Sequence, residues 1–182
     1  MISLKKLEKF IQHIKYFKSS DTFQLDPIPE NANYNAATFK WEGNSLYFRK
    51  AKVTPDRPGA FLTLWQRPEN NEISNKPVAI TEEQLDFLII EINELSTLNP
   101  RKGIFIFPKE LLVKKKILSK DGSKGKTGFR VFPPWAGDRG TLGMKVFSDS
   151  GKKTQAWQLP YFIELTNNIE SEKLKRILNS EF

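Results

Sequence analysis

The sequence predicts a single α/β domain of the α+β type over residues 1–182, with a central mixed or antiparallel sheet flanked by helices. The 182 residues match the size of one compact domain, and a hydrophobic fraction of 38% is sufficient for a buried core. Short β-branched and aromatic runs, separated by turn residues, occupy the middle of the chain and indicate strands. Apolar residues at helical spacing near both ends indicate flanking helices.

Two amphipathic patterns predict the terminal helices. Near the N-terminus, apolar residues three or four positions apart predict a helix over residues 4–18, in which charges recur too often for the core of a signal peptide. Near the C-terminus, Leu174, Ile177 and Leu178 predict the inward stripe of a helix over residues 168–180. A loop is expected over residues 21–33, and the predicted core, over residues 30–162, begins within the last residues of this loop.

A β-hairpin is predicted in the first half of the core. Ala37–Trp41 has the pattern of a strand that turns into the strand-like run Ser45–Thr54. Turn residues fill Pro55–Gly59, and Ala60–Trp65 follows as the next strand. The twenty residues Phe48–Arg67 contain five cations and one acid. This hairpin is therefore either a charged surface for a partner or an edge that lysine and proline protect from aggregation.

Two apolar runs predict the centre of the sheet. Asp86–Ile92 and Gly103–Lys109 have strand-like composition and are separated by a loop, so antiparallel pairing is expected. Asp86 begins one strand and Lys109 ends the other. We therefore expect their side chains to meet at the same end of the sheet.

Three further elements complete the predicted core. A short helix is expected within Leu111–Leu118. Phe129–Trp135 is expected to be a strand that two prolines end. The aromatic-rich segment Thr154–Leu165 is predicted to be a helix, which Pro160 must kink or divide.

The composition excludes several classes of site. The chain has no cysteine and one histidine, His13, which excludes disulfides, cysteine-based metal sites and Ser-His or Cys-His catalysis. Carboxylates remain as the candidate metal ligands. The absence of cysteine suits a reducing cytoplasm, where we expect the protein to act. No apolar stretch is long enough to insert into a membrane as a helix.

The positive charge of the chain is concentrated in one segment. The formal net charge is +8, and Arg101–Arg130 contains ten cations and two acids, which leaves 19 charges of each sign elsewhere. A localised basic patch is typical of proteins that bind a polyanion such as nucleic acid. A lysine-rich solvated surface is the alternative interpretation.

A group of charged residues near the predicted centre of the sheet raises the hypothesis of a metal-dependent nuclease. In such sites carboxylates bind Mg²⁺, while a lysine orients water or stabilises phosphate charge. Asp86 and Glu91 are the candidate ligands for Mg²⁺, Lys109 is the candidate lysine, and Glu30 is a further candidate catalytic carboxylate. However, Phe107 occupies the position two residues before Lys109, where such sites have an acid. Glu91 follows Asp86 by an odd number of residues, so the two side chains are expected on opposite faces of the strand. An ion pair between Asp86 and Lys109 is the simpler interpretation.

Several short motifs together resemble the MepB-like family, in the family's order and over about Glu30–Phe162. They are Phe48-Arg49-x-Ala51-Lys52-x-Thr54-Pro55, Gly59-x-Phe61-x-Thr63-x-Trp65-x-Arg67, Gly103-x-Phe105-x-Phe107-Pro108-Lys109, Gly125-Lys126 with Arg130-Val131-Phe132-Pro133-Pro134-Trp135, and Thr154-Gln155-x-Trp157-Gln158-x-x-Tyr161-Phe162. The chain departs from the family pattern at Asp56-Arg57, where the family favours Thr-Lys. The resemblance implies a restriction-endonuclease-like α/β core with nucleic acid as its ligand.

The residues and the resemblance together predict a nucleic-acid-binding protein, with duplex DNA as the expected partner and a degenerate nuclease-like site. Two alternatives stay open: an active nuclease with Mg²⁺ as its cofactor, and a protein that binds a small nucleotide or phosphate ligand. The candidate nucleic-acid-binding residues are Arg49, Lys52, Arg57, Lys109, Lys126, Arg130 and Trp135. The candidate catalytic residues are Asp86, Lys109 and Glu30, and the candidate metal ligands are Asp86 and Glu91.

Overall fold

The computed structural model describes residues 23–25, 34–41, 43–67, 76–95, 98–139, 145–166 and 171–179. The strands in these ranges are β1 (Phe23–Leu25), β2 (Ala37–Trp41), β3 (Asn44–Lys50), β4 (Lys52–Val53), β5 (Ala60–Thr63), β6 (Trp65–Gln66), β7 (Val78–Ala79), β8 (Phe87–Asn93), β9 (Lys102–Pro108), β10 (Gly128–Val131) and β11 (Phe162–Glu164). The helices are α1 (Lys109–Lys114), α2 (Asp149–Gln158) and α3 (Ser171–Leu178), and a 3-10 turn covers Leu159–Tyr161. This is the single-domain α+β architecture that the sequence predicts.

The main sheet has six strands in the order β1-β2-β3-β8-β9-β11. Strands β3 and β8 are parallel, and the other neighbours are antiparallel, so the sheet is mixed. The predicted pairing of the two apolar runs is confirmed, because β8 and β9 are antiparallel with Phe87 opposite Pro108. This register places Asp86 and Lys109 at the same end of the sheet.

Both faces of the main sheet are buried. On one face, Leu88 and Ile90 pack into a core that the sheet shares with β5 and β10. On the other face, Ile89 packs with Leu174 and Ile177 of α3, which are the residues predicted to point inward. Alternate residues of β8 therefore serve two different cores, and this explains the continuous apolar run of this strand.

The predicted hairpin is present but shorter than expected. Strand β3 follows β8 as far as Ala51, whose N–H donates to the carbonyl oxygen of Glu91 at 2.9 Å. The chain then leaves the main sheet, and only β4 pairs with β5, with Lys52 opposite Phe61. Strand β10 pairs with the other edge of β5 and completes a three-stranded sheet in the order β10-β5-β4. The strand-like composition continues from β3 through Ala51 into β4, so the sequence does not mark a boundary there. The two strands are separate only because they pair with different partners, β8 and β5.

The prediction of a helix over Thr154–Leu165 is partly wrong. Helix α2 begins earlier, at Asp149, where Ser148 Oγ accepts a hydrogen bond from the N–H of Gly151 at 3.2 Å. Pro160 divides the segment, as expected, but the residues after it form β11 rather than a second helical part. Strand β11 pairs with β9. The free edge of β9 offers backbone hydrogen bonds that outweigh local helix propensity.

Two other predicted segments differ from the structure or lie outside it. The loop expected over residues 21–33 contains β1, which pairs with β2. The helix predicted over residues 4–18 lies outside the described residues. Helix α1 begins at Lys109, two positions before the helix predicted there. None of the helices in the described ranges is long and apolar enough to cross a membrane.

Candidate nucleic-acid interface

Asp86 and Lys109 form the ion pair that the strand register predicts. Lys109 Nζ lies 3.0 Å from Asp86 Oδ1, and the N–H of Ser45 donates to Asp86 Oδ2 at 2.8 Å. The hydrogen bond from Ser45 is the largest cause of the lowered pKa of Asp86, to which Lys109 adds, while burial opposes both. The hydrogen bond that Lys109 donates to Asp86 raises the pKa of Lys109 in turn. Both carboxylate oxygens are therefore engaged in joining β3 to the ends of β8 and β9.

The described residues do not fit the predicted magnesium site. Glu91 follows Asp86 by five positions, which corresponds to roughly 16 Å along an extended strand. Its side chain pairs instead with Lys50, at 3.3 Å. Phe107, at the position where an acid is expected, is fully buried in the core. In the part of the chain that the structure describes, no three carboxylate or histidine side chains are placed to hold a metal ion, and Glu30 lies outside that part.

A different set of candidate residues surrounds three clefts that share Arg130. These clefts have volumes of about 360, 310 and 400 Å³, and each is lined by at least one further cation. Asp56 is the one acid among the described residues that line them. We call the five cations that line these clefts the basic cluster: Arg57, Lys115, Lys126, Arg130 and Lys145.

Arg130 is oriented by neutral acceptors. Its Nη1 donates to the carbonyl oxygen of Pro58 at 3.0 Å, and its Nη2 donates to Thr54 Oγ1 at 3.1 Å, so the guanidinium joins β10 to the turn after β4. Burial lowers the pKa of Arg130, and the positive charge of Arg57 lowers it further. Asp56 acts in the opposite direction, but no carboxylate of the described residues forms an ion pair with Arg130. The charge of Arg130 is therefore only partly compensated.

Helix α2 supports Arg130 through a buried amide. Gln158 is fully buried, its Oε1 accepts from the N–H of Phe132 at 2.8 Å, and its Nε2 donates to the carbonyl oxygen of Arg130 at 3.0 Å. Gln155 Nε2 donates to the carbonyl oxygen of Pro133 at 2.8 Å. Sequence reasoning missed both roles. The available signal was a pair of amides three positions apart, which a helix places on one face.

The predicted residues Arg57, Lys126 and Arg130 are thus brought together, whereas Lys115 and Lys145 were not singled out from the sequence. Lys115 lies just after α1, with its Nζ 5.0 Å from the centre of the Trp157 ring. Its signal was the run of three lysines at 114–116.

Lys52 lies next to this cluster, on the outer side of the three-stranded sheet. It is exposed on β4, and its Nζ lies 4.9 Å from the centre of the Tyr34 ring. Because Lys52 is exposed, it remains a candidate for the phosphate contact that the sequence predicts.

The other predicted binding residues lie elsewhere. The prediction that Arg49 contacts nucleic acid needs correction, because this side chain is fully buried and its Nη1 donates to the carbonyl oxygen of Phe48 at 2.8 Å. Trp135 packs edge-on against Phe162, with 5.3 Å between ring centres, and the guanidinium of Arg101 covers it at 4.9 Å. These contacts make the ring of Trp135 part of the edge of the core.

The fold and the motifs on it place this chain in a defined class. The MepB-like family model matches residues 29–164, and the chain belongs to that family. The family resemblance drawn from the motifs is therefore confirmed, while a restriction-endonuclease-like core stays a prediction.

The crystal structure of MepB is similar to this chain, with 31% sequence identity and a TM-score of 0.65. The alignment covers 88% of this chain and 98% of that one. Among curated proteins, none matches the chain.

Proposed function

We propose that this protein binds nucleic acid through the basic cluster, by non-catalytic contacts with the phosphate backbone. The observation that carries the proposal is the position of Arg130, which lines all three clefts. Among the described residues, five cations and one carboxylate line these clefts. A cytoplasmic setting, where nucleic acid is available, also suits the lack of cysteine.

The charges of the cluster favour a phosphate ligand. Arg57 is close enough to Arg130 for its charge to lower the pKa of that guanidinium. The contact of Arg57 with Asp56 is long, 3.7 Å, and both side chains are about two-thirds exposed (66% and 67%), so this pair neutralises little charge. A phosphate between the two guanidinium groups would relieve their repulsion and accept charge-assisted hydrogen bonds.

Contacts of this kind have characteristic consequences for binding. Phosphate contacts position a backbone without reading base sequence, so we expect weak sequence specificity. Each neutralised phosphate releases counterions, so we also expect a steep dependence of affinity on salt. Duplex DNA is the polymer predicted from the sequence, and it is the first ligand to test.

Fluorescence anisotropy of labelled duplex DNA across a salt series tests the proposal. Arg57→Ala and Lys126→Ala should each weaken binding and each reduce the slope of log affinity against log salt by about one unit. Both side chains are exposed, so both variants should fold normally.

Arg176→Ala is the matched control for Arg57→Ala. Arg176 is exposed on α3, which packs on the face of the main sheet opposite the three-stranded sheet. Both substitutions remove one guanidinium, so net charge changes equally. Equal weakening of DNA binding by Arg57→Ala and Arg176→Ala would contradict the assignment of the site. Unchanged binding in both Arg57→Ala and Lys126→Ala would contradict it as well.

A small phosphate-bearing ligand is the second candidate, because each cleft has a volume near the lower end of the range for small-molecule sites. Competition distinguishes the two candidates. A free nucleotide that displaces the DNA at equal concentration, and that no longer does so with Lys126→Ala protein, would favour the small ligand. A polymer ligand predicts displacement by unlabelled DNA and not by the free nucleotide.

A further inference from the structure

One row of side chains across the three-stranded sheet consists of a cation, an aromatic ring and a second cation. Phe61 lies directly opposite Lys52 on one side and Arg130 on the other. Residues directly opposite each other on neighbouring strands project from the same face of a sheet. Ala60 and Leu62 are fully buried and project the other way, into the core. The row therefore lies on the outer face of the sheet.

Phe61 leans across Gly128 of β10. A Cβ atom built on Gly128 would lie 2.7 Å from Phe61 Cζ and 3.3 Å from Phe61 Cε2, so the ring occupies space that a larger residue would fill. Phe61 is also partly exposed and lines the 400 Å³ cleft with Arg57 and Arg130. The ring is thus supported by backbone on one side while it remains accessible from a cationic cleft.

We propose that Phe61 stacks on an unpaired base of a nucleic-acid strand whose flanking phosphates contact Lys52 and Arg130. This inference rests on the proposed function and narrows its substrate to nucleic acid with a single-stranded part. The backbones of Lys52 and Arg130 are two strand spacings apart, roughly 10 Å, which is comparable with the size of one nucleotide. Cations beside an accessible aromatic ring are the recurring arrangement in single-strand binding sites.

A duplex cannot use this ring, because its bases are already paired and stacked. Its phosphates can still contact the basic cluster, so duplex binding should not depend on Phe61. In a single strand, stacking on an aromatic side chain contributes between about 5-fold and 150-fold in affinity per base. The two forms of nucleic acid therefore separate the contribution of the ring from that of the charges.

The test uses four labelled ligands at low salt: an oligothymidylate and an oligouridylate of about 10 nucleotides, an abasic strand of the same length, and a duplex. Phe61→Leu should weaken binding of the base-containing strands by about 5-fold or more and change binding of the abasic strand and the duplex by less than about 2-fold. Phe61→Trp should preserve the preference for bases. The tighter of the two base-containing strands shows whether the site prefers a deoxythymidylate or a uridylate strand.

The outcomes separate this inference from the proposed function. If Phe61→Leu keeps the preference for bases, the stacking role is wrong, while weakening of every ligand by Arg57→Ala would still support the proposed function. If wild-type protein binds no nucleic acid at low salt, both proposals fail. If Phe61→Leu does not fold, the wild-type protein alone decides: a preference below about 2-fold for oligothymidylate over the abasic strand overturns the inference.

Discussion

Replacing Gln158 by methionine should destabilise the protein by about 2–4 kcal/mol, because the substitution leaves one buried and one partly buried backbone group without a hydrogen-bond partner. The N–H of Phe132 and the carbonyl oxygen of Arg130 each lose their bond to the Gln158 amide, at 2.8 and 3.0 Å. Methionine has a similar length but cannot replace either bond. Each unsatisfied buried group costs about 1–3 kcal/mol, and some relaxation towards the neighbouring clefts reduces the total.

Thermal and urea unfolding, followed by tryptophan fluorescence, measure this loss. For a chain of 182 residues, 1 kcal/mol corresponds to a change of about 2–4 °C in Tm, so Tm should fall by roughly 4–16 °C. The proposed binding of DNA should weaken as well, because Gln158 holds β10, the strand that carries Arg130. Binding measured well below the Tm of the variant separates the two effects.

Gln155→Met is the control for this prediction. Gln155 lies on the same helix but is only partly buried, and it donates one hydrogen bond, at 2.8 Å, to Pro133. We expect it to cost about 1 kcal/mol. Equal losses in the two variants, or a change in Tm below about 2 °C for Gln158→Met, would refute the reasoning that the buried amide holds α2 to β10.

Two further predictions concern the ion pair and the hairpin turn. Asp86→Asn should lower stability by about 1 kcal/mol near pH 7, since the pair is partly exposed. The lowered pKa of Asp86 means that this contribution is present above the unfolded value, about 3.9, and is lost as pH falls through the folded pKa, so unfolding curves of variant and wild type should converge in acid. A gel of duplex DNA with Mg²⁺ or Mn²⁺ adds a second readout: cleavage by wild type that Asp86→Asn abolishes would overturn the non-catalytic proposal. Gly59→Ala should cost about 2–4 kcal/mol, because φ is +70° and the new Cβ would lie 2.5 Å from the carbonyl oxygen of Val131. Gly43→Ala, with φ at +83° and nothing within 4 Å, should cost only about 1 kcal/mol in the same urea titration, and equal losses would mean that crowding at Gly59 contributes nothing.

The candidate site could be predicted where it depends on one local pairing. Asp86 begins one apolar run and Lys109 ends the next, and one loop joins the two runs, so antiparallel pairing alone brings these residues together. Arg49 shows where this reasoning stops. Alternation along β3 assigns Arg49 to one face of the strand. Both faces of this sheet are covered by other elements, however, and no local pattern reveals that the covering elements bury the guanidinium of Arg49.

The basic cluster required knowledge of long-range contacts. Its members come from the turn after β4, the residues after α1, the approach to β10, β10 itself and the segment before α2. The pairing of β10 with β5 brings Arg130 close to the turn that carries Arg57. A charge count over Arg101–Arg130 identifies the excess of cations but not the two that lie outside it, Arg57 and Lys145.

By itself, the sequence determined the α+β class, the central pair β8 and β9, the inward stripe of α3 and the family of this protein. Each of these depends on periodicity or motif order within a short stretch, which local chemistry dictates. The tertiary structure alone decided that the chain changes sheets at Ala51 and that the residues after Pro160 form a strand. The choice between partners for backbone hydrogen bonds depends on which sheet edges remain unpaired once the whole chain has folded.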